Sequence, residues 1–185
     1  MENKLNEIYE DEAKMVRFRL NDGWDYVWIT YHDVKGFITI SSSYGNYSYI
    51  WSAMGKGVLL KDFFVKADND YLAQKLYRST HRSTQRFDSD TAFKELKQMI
   101  IQYRRDGSLN KHLARLLFDE IKDWESDSDE LSREGFYNGF YDQPSLSEWN
   151  PDIWYNDLGS VDETGFLTLK NEIIPIIKEY FRGLK

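Results

Sequence analysis

The chain has 185 residues, 41% hydrophobic and 16% aromatic, which is enough for one large or two small domains with a real core and excludes wholesale disorder. Its formal charge of −7, from 24 Lys and Arg against 31 Asp and Glu, argues against a general nucleic-acid binder or a polybasic membrane anchor, since both meet phosphates with positive charge. It has no cysteine, hence no disulfide, thiolate metal site or cysteine nucleophile, and with no signal-like start and no run of ~20 apolar residues it reads as a cytoplasmic protein without a membrane segment.

Val16, Phe18 and Leu20 alternate with Arg17 and Arg19, the period-two pattern of a strand with one buried face. Asn21-Asp22-Gly23 then supplies a tight hairpin turn. Trp24 to Tyr31 carries large apolar residues on both alternating faces, which predicts a central strand covered on both sides. A third strand is expected over 37–43 and, after a turn at Tyr44-Gly45-Asn46, a fourth with Tyr47, Tyr49 and Trp51 inward. Short connections make these antiparallel neighbours in a meander.

Past Gly57 the period becomes helical. Leu59, Leu60, Phe63 and Phe64 form one stripe, and Asp68 is placed to cap a second helix bearing Leu72 and Leu76. Residues 79–90 are polar and form a candidate subdomain break in what otherwise reads as one domain over 1–185, with a sheet and short helices in 1–78 and a helical, acidic part in 91–185. Ser89 or Asp90 should cap a helix with Phe93, Leu96, Met99, Ile100 and Tyr103 inward, ended at Gly107. A partner helix from about Ser108 carries Leu109, Leu113, Leu116, Leu117, Ile121 and Trp124, so the two form a hairpin. Short irregular helices and loops are expected from Glu125 to Glu163. A last helix over about 167–181 contains Pro175, which should kink it or move its start, because proline lacks the amide proton. The fold class is α+β, an N-terminal antiparallel meander of about four strands followed by packed helices.

The charge is polarised along the chain. Asp119 to Glu163 holds 14 acidic residues against Lys122 and Arg133, a net −12, while the remainder holds 22 basic and 17 acidic residues, a net +5 concentrated in Lys75 to Arg115. Either the acidic tract folds back onto the basic hairpin and neutralises it, or it presents a negative surface to a basic protein partner. On the second reading the partner-binding residues are Asp123, Glu125, Asp127, Asp129, Glu130 and Glu134, with Trp149 and Trp154 as aromatic anchors.

Catalytic motifs are missing. There is no His-Glu-x-x-His or Gly-x-Ser-x-Gly; His32, His81 and His112 are isolated in sequence, and Gly55-Lys56-Gly57 lacks the rest of a phosphate-binding loop. The chain therefore reads as a non-enzyme without a cofactor. Asp123-x-Glu125-x-Asp127-Ser128 followed by Glu134 approaches a calcium loop, but Ser128 stands where the turn glycine belongs and Glu125 where a shorter side chain belongs, so no metal is assigned. The basic hairpin, near Tyr77, Phe87 and Tyr103, is the one stretch suited to phosphates; the net charge sets direct nucleic-acid binding aside.

The run from Ile38 to Trp51 (ITISSSYGNYSYIW), then Gly57, Leu60-Lys61-Asp62-Phe63 and Asp70 to Leu76 (DYLAQKL), resembles a pattern in small proteins of bacteriophages and prophages, one that carries no known catalytic residue. The resemblance covers roughly residues 37–78. It implies an accessory protein made in an infected or lysogenic bacterial cytoplasm, a setting in which small acidic proteins are often inhibitors of host defence, anti-CRISPR proteins among them. The expected function is thus inhibition of a host defence nuclease, with an acidic surface occupying the partner's nucleic-acid groove. An immunity protein against a basic toxin and a divalent-metal-dependent protein using the 123–134 carboxylates are the alternatives.

Overall fold

A computed structural model describes residues 10–20 and 25–184. In chain order the elements are β1 (Lys14–Leu20), β2 (Asp25–His32), β3 (Phe37–Ser42), β4 (Gly45–Ile50), α1 (Leu60–Lys66), α2 (Asn69–Arg78), β5 (Gln85–Phe87), α3 (Ser89–Arg105), α4 (Lys111–Ser126), α5 (Arg133–Tyr141), α6 (Pro144–Trp149), β6 (Ser160–Asp162), α7 (Thr164–Thr168) and α8 (Ile174–Gly183). They form two compact units. A sheet unit comprises 1–84 and 163–185, and a helical unit comprises 85–162.

The sheet unit is built on the antiparallel meander β1-β2-β3-β4, as the alternation predicts. The Asn21-Asp22-Gly23 turn and Trp24 lie outside the described residues. One face, with Val27, Ile29, Tyr31, Ile38, Ile40 and Tyr47, is buried beneath Leu60 and Phe64 of α1 and Leu72 and Leu76 of α2. Burial of such side chains contributes about 1.5–3 kcal/mol each.

The other face of β2 is open, which corrects the expectation of a strand covered on both sides. Trp28 is 43% exposed and lies in a ladder: the Arg17 guanidinium sits 5.2 Å from the Trp28 ring and 5.0 Å from the Tyr26 ring, and Arg19 sits 5.3 Å from Tyr26. Arg17 pairs with Trp28 and Arg19 with Tyr26 across β1 and β2, so cross-strand arginines cover ring faces that looked, in sequence, as if they required a second layer.

Asp68 caps α2 as expected, accepting from the amides of Asp70 at 2.8 Å and Tyr71 at 3.2 Å. The last helix is split. α7 and α8 are joined by a π turn, Leu169–Ile173, and Pro175 falls in the first turn of α8. The proline has no N–H to return, and the wider turn absorbs the missing bond. Ile173, Ile174, Ile177 and Phe181 pack into the sheet core, with Phe181 edge-on to Tyr31 at 5.0 Å and to Phe64 at 5.7 Å. The segment 163–185, grouped in the linear reading with the acidic helices, therefore belongs with the meander, whose apolar face gives its stripe a partner.

Glu163 begins this return. Its carboxylate accepts from the Phe166 amide at 3.1 Å, capping α7, and from the Tyr77 hydroxyl at 2.5 Å. The Tyr77 hydrogen bond holds the Glu163 carboxyl below the usual carboxylate range, while burial and that same carboxylate push the Tyr77 hydroxyl up to about 12. The Lys170 ammonium, 2.7 Å away, lowers Asp70 likewise. A carboxyl depressed by folding adds stability above its ordinary value of about 4 and loses it as pH falls through the folded value. Thermal melts of the sheet unit should therefore be flat from about pH 7 to pH 5 and fall below about pH 4.5, with a shallower fall in Glu163→Gln. An unchanged slope in that variant would remove Glu163 from the account.

In the helical unit α3 is capped by Asp88, which accepts from the Thr91 amide at 2.8 Å, one residue before the expected Ser89 or Asp90. α4 starts at Lys111 under an Asn110 cap rather than at Ser108. The two helices form the expected hairpin, and Phe93, Leu96, Ile100, Leu117, Ile121 and Trp124 pack with Phe136, Tyr137 and Phe140 of α5, Leu146 of α6 and Ile153. Tyr103 and Leu116, expected inward, are 39% and 41% exposed. β5 and β6 pair antiparallel, Gln85 opposite Asp162 and Phe87 opposite Ser160.

Candidate functional site

The charges of the helical unit sort by the ends of its hairpin. α3 is 17 residues long, or about 25 Å at 1.5 Å per residue. At the turn between α3 and α4 stand Arg104, Arg105, Lys111 and Arg115. At the opposite end, the start of α3 meets the end of α4 around a recess of about 310 Å³ lined by Asp88, Ser89, Asp90, Phe93, Glu125, Ser128, Asp129 and Glu130. Among the described residues two cations touch these carboxylates: Lys97 pairs with Glu125, and Arg86 lies 3.5 Å from Asp88. Lys97, and Arg115 with its Asp119 partner, belong to the basic tract over 75–115, so that tract neutralises the acidic one in part, whereas Asp90, Asp129 and Glu130 have no ion-pair partner among the described residues.

α4 carries its charge against the helix dipole. Its first turn has no acid and its last turn no base; Lys111 and His112 open it, while Asp123 and Glu125 close it. Cations are favoured at C-termini and anions at N-termini by about 0.3–1 kcal/mol each, so the order of charge in α4 costs rather than contributes stability. At the start of α3 the preference is respected, and the hydrogen bonds from Thr91 hold the Asp88 carboxyl below the usual range.

The sequence-predicted residues are only partly brought together. Glu125, Asp129 and Glu130 line the recess, with Asp129 and Glu130 exposed. Asp123 faces a separate shallow depression with His112, Asp119, Glu120 and Ser145. Asp127 is the exposed C-cap of α4, and Glu134 lies in the first turn of α5, also exposed. Trp149 is half-buried, edge-on to Tyr103 at 5.8 Å. Trp154 is 50% exposed and stacks on Tyr137 at 4.2 Å and Tyr141 at 6.2 Å. The recess adds Asp88 and Asp90, which the sequence reading left inside the basic tract; the helix start at 89 was the signal that could have placed them.

The run read as an approximate calcium loop is helical through Ser126, so Asp123 and Glu125 diverge from a helix surface instead of converging in a loop. Among the described residues no group of three or more His, Asp or Glu side chains is arranged to hold a metal ion, and no helix is long and apolar enough to cross a membrane. No curated protein and no solved structure matches the chain. A family model does match it, over residues 2–183, nearly the whole length, and on that match the chain belongs to the phage family Phage_phiTE_072.

Proposed function

We propose that this phage protein is a non-enzymatic inhibitor of a host defence nuclease, of the anti-CRISPR kind, and that it engages a basic, nucleic-acid-binding groove of its partner with the acidic end of the helical unit. The observation that supports this reading is the gathering of Asp88, Asp90, Glu125, Asp129 and Glu130 around one recess, apart from the chain's own basic turn. A surface of one sign raises encounter rates with an oppositely charged partner by about 10- to 1,000-fold at low salt. Trp154, half exposed on a rigid ring stack, supplies an apolar anchor at low entropic cost.

The test is phage plating on bacteria that carry nuclease-based defence systems, with and without this protein expressed. Wild type should restore plating on at least one such strain. The exposed-charge variant D90N/D129N/E130Q, which keeps the Asp88 cap and the Lys97–Glu125 pair, should lose that rescue with an unchanged circular dichroism spectrum. Association with the purified target should slow by about tenfold or more at low salt, and its salt dependence should flatten. Absence of rescue on every defended strain, or undiminished rescue by the variant, overturns the proposal.

A further inference from the structure

The basic end of the hairpin has features that the acidic reading leaves unused. A recess of about 480 Å³ between α3 and α4 is lined by Ile100, Ile101, Arg104, Arg105, Lys111, Ala114, Arg115 and Phe118. Its floor is apolar and its rim is cationic. Ile101 is 40% exposed there. Of the four cations only Arg115 has an ion-pair partner among the described residues, Asp119 at 2.8 Å.

Folding accounts for only part of this arrangement. Arg104 and Arg105 suit the C-terminus of α3, but Lys111 stands in the first turn of α4, where a cation is unfavourable. The 40% of Ile101 left exposed gains nothing from burial. An apolar hollow rimmed by Arg104, Arg105 and Lys111, none with an ion-pair partner among the described residues, is complementary to one kind of occupant, an apolar side chain flanked by carboxylates. The apolar lining holds a single half-buried ring, Phe118, beside Ile100, Ile101 and Ala114, not the series of exposed rings on which successive bases stack. That favours a peptide over a nucleic-acid strand, and the hollow is within the size range of side-chain and ligand pockets.

We infer that this recess is a second docking site, one that takes an acidic segment of a partner protein, with a Leu, Ile or Phe seated on Ile101, Ala114 and Phe118 and its neighbouring carboxylates on Arg104, Arg105 and Lys111. The site is independent of the acidic recess at the other end of the hairpin, so the failure of one leaves the other standing.

The test is selection of a displayed library of random 12-residue peptides on the full chain, with counter-selection on R104Q/R105Q/K111Q. These positions are exposed, so the variant should keep its circular dichroism spectrum. Enriched peptides should carry two or more Asp or Glu around a Leu, Ile or Phe. Fluorescence anisotropy with the best of them should show binding that weakens at least about tenfold in the triple variant and in Ile101→Ser, and that falls with added salt. The inference is overturned if no peptide is enriched, if the enriched ones lack acidic residues, or if binding survives the substitutions. It is equally overturned if a labelled 12-nucleotide single strand binds this recess more tightly than the selected peptide, or if ultracentrifugation shows a dimer that the triple variant dissolves, since the occupant would then be nucleic acid or a second copy.

Discussion

Replacing Phe136 with alanine is expected to destabilise the helical unit by about 3–5 kcal/mol, the range for deleting a fully buried ring. Phe136 is wholly buried and is surrounded by rings from four directions: Phe87 at 5.6 Å, Phe93 at 5.1 Å, Trp124 at 5.0 Å and Tyr137 at 5.7 Å. Stiff aromatic neighbours contributed by β5, α3, α4 and α5 cannot all slide into the space vacated, so the cavity term adds to the lost transfer energy. Hydrogen exchange at the amides of α3 to α5 reads this unit directly, which matters because a chain with two cores need not unfold in one transition. Leu116→Ala, at a 41% exposed position, is the comparison and should change stability by no more than about 0.5 kcal/mol. A loss below about 1 kcal/mol in Phe136→Ala would mean that the rings repack, and that this cluster does not hold the unit together.

The second large effect belongs to the sheet unit. Gly36 sits in the β2–β3 loop at φ 68, and a Cβ there would lie 2.4 Å from the Trp51 carbonyl oxygen and 2.8 Å from Met54 Cε. The methionine end can move. The Trp51 backbone is held in place, because its amide donates to the Gly36 carbonyl at 2.9 Å. Gly57 offers an internal control at φ 73 with nothing within 4 Å of its Cβ position. Gly57→Ala should then cost only the left-handed backbone penalty, about 1–2 kcal/mol, whereas Gly36→Ala should cost that plus a backbone clash, about 3 kcal/mol or more. Denaturant unfolding of the two variants separates the contributions. Equal losses would show that the loop has slack and that the close approach to Trp51 carries no energy.

What was legible in the residues depended on how local the cause was. The meander followed from period-two alternation and short turns, and the Asp68 cap from a single acid ahead of an apolar stripe, because each signal and its structural cause lie within a few residues. The β5–β6 pair escaped notice: three residues are too few to show a period, and Gln85 finds its partner at Asp162, far along the chain. Trp28 misled because an aromatic ring covered by Arg17 has the same sequence signature as one covered by a second layer. The candidate site was half legible for a similar reason. Summing charge along the chain captured Glu125, Asp129 and Glu130 but assigned Asp88 and Asp90 to the basic tract, and only the hairpin brings the two groups to one recess.

The short ladder of β5 and β6 also bears on how such a chain can change. The Thr84 carbonyl accepts from the Glu163 amide at 2.9 Å, so the point where the chain leaves the sheet unit and the point where it returns are hydrogen-bonded neighbours. Antiparallel residues so bonded lie about 5 Å apart, a gap that a two-residue hairpin turn bridges. Residues 85–162 thus leave and re-enter the sheet unit at adjacent points, and their replacement by a two-residue turn is expected to leave the meander with its far-UV circular dichroism signal. Both charged ends of the hairpin lie within residues 85–162, so such a deletion would remove both at once.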